Sequence, residues 1–134
     1  DVFNFLFEKN PKIISSTGKT YRKKEGVEIA FVSASLGNIL AFFELSWLTP
    51  GKKRDLIVVG EKNTVTVNLI SQSISIVDNN TLQTEEIHIQ QTNPLMEELN
   101  HFVDCIEKKI RSKANGKIGL EIVEVIEEAQ KKLK

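Results

Sequence analysis

The side chains best able to do chemistry in this 134-residue chain are two histidines, one cysteine and a few paired carboxylates. His88 lies in an alternating polar segment and His101 in a helical pattern, and neither has a cysteine or carboxylate at metal-ligand spacing. A zinc site needs three or four convergent ligands, so both read as solvent-facing residues. Cys105 has no second cysteine to pair with and sits among apolar residues of a helical pattern. It reads as a small buried hydrophobe in a reducing compartment. Glu97-Glu98 and Glu127-Glu128 are adjacent on predicted helices, where neighbours point in different directions, which suits solvated faces better than acid and base pairs. No glycine-rich loop stands between a strand and a helix to cradle a phosphate. A nucleophile or base needs convergent partners, so no catalytic, cofactor-binding or metal-ligating residue is assigned.

Two contact regions remain. Lys52, Lys53 and Arg54 follow Trp47 closely, and Lys53 and Arg54 are the candidates to meet an anion or the substrate side of a cleft. The plainer reading, a charged loop at the end of a strand, carries more weight. Phe43, Leu45 and Trp47 stand at alternate positions of an apolar run and are the candidate oligomer interface, since aromatic anchors are enriched there.

Charge narrows the partners. Eighteen lysines and arginines balance eighteen aspartates and glutamates. A neutral chain has no net field to attract nucleic acid or an anionic membrane. No apolar run approaches the roughly twenty residues that span a bilayer, so a cytoplasmic protein is expected. Residue 1 is aspartate and the only methionine is Met96, so an upstream segment is expected too.

The elements that must position these residues follow from periodicity. Val2, Phe3, Phe5, Leu6 and Phe7 form a dense apolar stretch stopped by Asn10-Pro11, the end of a helix. Residues 12–24 read as a lysine-guarded edge strand or extended excursion around Thr17-Gly18. From Val27 the period becomes two, and Gly37-Asn38 reverses the chain. Residues 39–48 are apolar on both faces, which predicts a central strand. After Thr49-Pro50-Gly51, strands at 55–59, 64–70, 73–77 and 85–90 alternate with polar turns as a meander. Asn93-Pro94 caps and opens a helix whose stripe of Leu95, Leu99, Phe102, Ile106 and Ile110 is expected to face the sheet. After Asn115-Gly116, a last helix from about Gly119 carries Ile122, Val125, Ile126, Ala129 and Leu133 inward. The predicted fold is therefore α+β, a predominantly antiparallel open sheet of about six strands with helices on one face and the other free for oligomerisation.

Three segments, in order, resemble one family. Ser46-Trp47, Pro50 and Arg54-Asp55-Leu56-Ile57-Val58-Val59-Gly60 are similar to its S-W-x-x-P and R-x-(L/I)-x-V-x-G pattern. Pro94 to Ile106 is similar to its P-L-x-x-E-L-x-H-F-x-x-(C/A)-I helix, and Gly119 to Lys134 to its closing helix. The family is that of glucose-fructose oxidoreductase, inositol dehydrogenase and MocA (Gfo/Idh/MocA), and the resembling part is its carboxyl-terminal domain. The resemblance implies that residues 1–134 are that domain, with Asp1 matching the last acid of a D-x-x-x-H-x-x-D stretch. It places the catalytic histidine, the Glu-Lys-Pro motif and the glycine-rich dinucleotide turn upstream, in a Rossmann domain outside this chain. It implies a full-length enzyme that moves hydride between NAD or NADP and a sugar, polyol or related hydroxy compound. This domain would then supply the substrate-side wall and a homo-oligomer contact through the sheet, inactive by itself and without a cofactor of its own. The alternative is a free-standing sheet domain serving as an assembly or binding module. On the first reading, titration of the 134-residue chain with NADH or NADPH gives no saturable fluorescence change; micromolar binding would contradict it.

Overall fold

The computed structural model describes residues 2–22 and 26–134, so Asp1 and the end of the first predicted strand, at 23 and 24, lie outside the described residues. The elements are α1 (Val2–Phe7), β1 (Lys12–Lys19), β2 (Ile29–Leu36), β3 (Ile39–Ser46), β4 (Asp55–Val59), β5 (Asn63–Asn68), β6 (Ser73–Asp78), β7 (Thr84–Ile87), α2 (Pro94–Glu107) and α3 (Gly116–Lys131). The α+β class and the antiparallel pairing agree with the sequence. The single open sheet does not: the seven strands of the described residues hydrogen-bond as two antiparallel sheets, ordered β1-β2-β3 and β4-β5-β6-β7. They belong to two compact units, Asp1–Pro50 with Lys108–Lys134, and Gly51–Glu107.

In the first unit β2 is central and β3 is an edge strand, a correction to the central position expected for residues 39–48. Side-chain alternation reports which faces of a strand are apolar and says nothing about which backbone lies beside it. Gly37 takes the positive φ that a two-residue hairpin loop demands at its first position, which pairs Leu36 with Ile39. Ala30, Val32 and Ala34 all point to one face and are buried there with Ile13 of β1. Phe43 of β3 and Val125 and Ala129 of α3 pack against this row. Small residues at 30 and 34 leave room for the helix to approach the sheet closely.

Asn115, expected only to punctuate, caps α3 by accepting the amide N–H groups of Lys117 and Ile118, so the helix starts three residues earlier than predicted. Glu127 and Glu128 each pair with the lysine four residues on, at 3.6 and 2.9 Å, which confirms that they face separate partners. Lys132 also donates to the Ile13 carbonyl beside a β-bulge in β1, tying the helix end to the sheet. The carboxyl-terminal residues then run along the outer edge of β1: Ser16 bridges Leu133 in parallel, and the Gly18 N–H donates to the Lys134 carbonyl at 3.2 Å.

The second unit is built from repeated turn chemistry. The Asn68 side chain accepts from Ile70 and Ser71 N–H, and the Asp78 side chain accepts from Asn80 and Thr81 N–H. Each turn ends on a residue with positive φ, Gln72 and Leu82. These are Asx turns, in which a side-chain oxygen does the work of a backbone carbonyl. The Asp78 carboxyl is held below its ordinary value by the Thr81 N–H first, then by the Asn80 N–H and the Thr81 hydroxyl. The register places Leu56, Val58, Val65, Val67, Ile74, Ile76 and Ile87 on one face of the four-stranded sheet. Asn93 caps α2 as expected, yet the α2 stripe is not covered: Leu95, Phe102 and Ile106 are each 63% exposed. Amphipathicity reports that a helix face needs apolar cover, not which body supplies it. No residue of this unit is buried.

The tail along β1 leaves no room for a side chain at position 18, where a Cβ would lie 2.6 Å from Val27 Cγ1 and 2.8 Å from Leu133 Cδ2. Gly18→Ala is expected to cost about 1–3 kcal/mol of stability, the usual penalty of overpacking. Denaturant unfolding measures it, and an unchanged midpoint would contradict the close approach of the tail.

Candidate functional site

The three-stranded sheet presents two different faces, and most of the candidate residues lie on or beside them. Toward α1 and α3, an apolar cleft of about 310 Å³ is lined chiefly by Phe3, Ile13, Phe43, Leu45, Ile122 and Ile126. The Phe3 ring meets Phe43 at 5.6 Å and Phe7 at 5.7 Å, tilted by about 45° in each case, a favourable aromatic arrangement. Asn10 links the rim to α3 by donating to Glu121 at 3.2 Å. The cleft is incompletely filled from within the chain: of its lining, Leu45 is 57% exposed and Ile126 51%.

On the opposite face Ser15, Thr17, Phe31, Ser33, Phe42 and Glu44 line a shallow groove of about 400 Å³. Ser15 and Ser33 are cross-strand partners with hydroxyls 2.8 Å apart. Phe42 is 81% exposed and Leu40, on the same face, 65%. Hydroxyls, one carboxylate and exposed rings can hold a polar partner or a second protein surface; they lack the base and nucleophile that a reaction needs.

The three residues expected at an interface lie in different surroundings. Phe43 and Leu45 point toward α3, into the apolar cleft, while Leu40 and Phe42 occupy the outer face. Of the three residues expected there, Trp47 is the most open, 83% exposed just beyond β3. Lys53 pairs loosely with Asp55 at 3.8 Å, and the Arg54 carbonyl accepts the Leu69 N–H at 2.9 Å. His88 is exposed. Cys105, expected to be buried, is half-buried on α2 with its sulfur 3.5 Å from His101 Nε2. Among the described residues no three of His, Cys, Asp and Glu cluster to hold a metal ion.

Glu28 was missed at the level of sequence. It is a charged residue, 6% exposed, in phase with Ala30, Val32 and Ala34 on the buried face. Its carboxylate accepts the Tyr21 and Arg22 backbone N–H groups at 2.8 and 2.7 Å and the Arg22 guanidinium at 2.5 Å. The Arg22 N–H foremost, with Tyr21 N–H and the guanidinium, holds the carboxyl below its ordinary 4.5, against burial, which pushes it up. The Glu28 backbone bonds Lys19 on one side and Trp47 on the other, so this residue fixes the end of the sheet from which Tyr21 and Trp47 project. The detectable signal was an acid at the buried phase of a strand, six residues after an arginine.

No protein-family model matches the chain, and no curated protein matches it. Solved structures do. UDP-N-acetylglucosamine 3-dehydrogenase GnnA from Acidithiobacillus ferrooxidans superposes with a TM-score of 0.84 at 14% identity, over 97% of this chain and 42% of its own. A Desulfitobacterium hafniense protein provisionally described as an NADPH-dependent oxidoreductase gives 0.86 at 16% identity, over 96% and 41%. YvaA of Bacillus subtilis, provisionally described as an oxidoreductase, gives 0.74 at 12% identity, over 96% and 45%. These are Gfo/Idh/MocA-type oxidoreductases. At such identities the likeness establishes the fold, and that fold is the one expected from the three resembling segments. The chain spans less than half the length of each of these three structures.

Because the Glu28 carboxyl is depressed in the folded state, its stabilisation is present above the unfolded value near 4.5 and is lost as pH falls through the folded value. Glu28→Gln is expected to lower the unfolding midpoint at pH 7, with the gap to the parent chain closing as pH falls below 4.5 and through the lowered folded value. A gap that stayed constant with pH would contradict the ion pair as its source.

Proposed function

We propose that the chain is the substrate-side and oligomerisation domain of an NAD(P)-dependent oxidoreductase of the Gfo/Idh/MocA type, acting on a sugar, polyol or related hydroxy compound. The observation that carries this reading is the likeness of nearly the whole chain, 96–97% of it, to about two fifths of two oxidoreductases at TM-scores of 0.84 and 0.86. The activity in GnnA's name supports a sugar-linked hydroxyl as the reacting group, and the name of the Desulfitobacterium protein supports NADPH as a cofactor of the whole enzyme. Both belong to those proteins and come here as inference.

The described residues do not offer the usual cradle for a dinucleotide. A pyrophosphate is usually cradled where a parallel strand runs through a glycine turn into a helix. Here the sheets are antiparallel, and the longer helices begin at Asn93 and Asn115 caps that use their own side chains to satisfy the first amides. No step of hydride transfer is therefore assigned to these residues. In the proposed enzyme the hydride would come from the cofactor held by an upstream Rossmann domain. This domain would contribute shape: a wall beside the substrate and a sheet face that joins subunits.

Two exposed surfaces support the division of labour. The apolar cleft between α1, α3 and the sheet suits contact with the Rossmann domain, because an exposed apolar cavity of this kind is costly to leave in water. The outer face bearing Leu40, Phe42 and Phe31 suits a second subunit, with Trp47 at its margin. Lys53 and Arg54 remain candidates for an anionic group of the substrate. Among the described residues no helix is long and apolar enough to cross a membrane.

The product of the native gene is expected to oxidise NADPH or NADH, or to reduce the oxidised forms, when screened with nucleotide sugars, free sugars and polyols. No turnover across that panel by a protein of about 15 kDa would favour the assembly module instead. Phe42→Glu is expected to lower the oligomer mass in light scattering with little effect on the unfolding midpoint, while Phe43→Glu unfolds the domain by placing an unpaired charge in its apolar cleft. Unchanged mass for Phe42→Glu and Trp47→Glu would exclude this face as the subunit contact.

A further inference from the structure

No further inference is drawn: the strongest candidate, the aliphatic face of the four-stranded sheet together with the bare apolar stripe of α2, carries nothing because nothing in the structure shows what covers it.

Discussion

The first unit depends on the close approach of α3 to the face of β2. Ala30 and Ala34 are small enough to admit the helix, Val32 fills the space between them, and Ile13 closes the row from β1. Once α3 lies there, the rest of its geometry follows. Lys132 reaches the Ile13 carbonyl, the tail beyond the helix runs along β1, and position 18 is restricted to glycine. Burial of four small or medium side chains is a modest driving force, at roughly 1.5–3 kcal/mol for each fully buried Val or Ile and less for alanine. A core this small explains why specific polar ties, at Glu28, Lys132 and Asn10, recur around its edge.

The second unit follows a different rule. Its hairpins are set by local hydrogen bonds from Asn68 and Asp78, and the linker before α2 is tied to the β5–β6 turn through Gln72, Gln91 and Thr92. Local chemistry is enough to shape a meander, but an isolated sheet with one aliphatic face gains little from burial. The same holds for α2, whose apolar stripe is more exposed than buried. These surfaces have the composition of contact surfaces.

Much of the fold was readable from residue order because its signals are local. Strands with polar turns, the Asn93 cap and the helix stopped before Pro11 depend on neighbours within a few positions, and they appear where periodicity put them. The partition into two sheets and the edge position of β3 depend on pairings between distant residues, which alternation does not encode. For the same reason alternation does not say which face Phe43 shares: the apolar pattern of 39–48 marks two faces alike, and only the pairing of Val32 with Phe43 sets Phe43 against the buried row. Asn115 reads as a break in the sequence because a capping side chain and a turn former are the same residue type. The family resemblance reached farther than any single residue, since three weak segments in the right order constrain a fold that none of them specifies alone.

The central claim is that the exposed apolar surfaces of this chain are contact surfaces within a larger oxidoreductase. Hydrogen exchange read by mass spectrometry tests it most directly, comparing the product of the native gene with the 134-residue chain alone. The account predicts that amides of α1 and β3, which border the apolar cleft and the outer sheet face, exchange slowly in the native product and much faster in the isolated chain. Equal protection in both would mean that these surfaces meet nothing further, and would contradict the account.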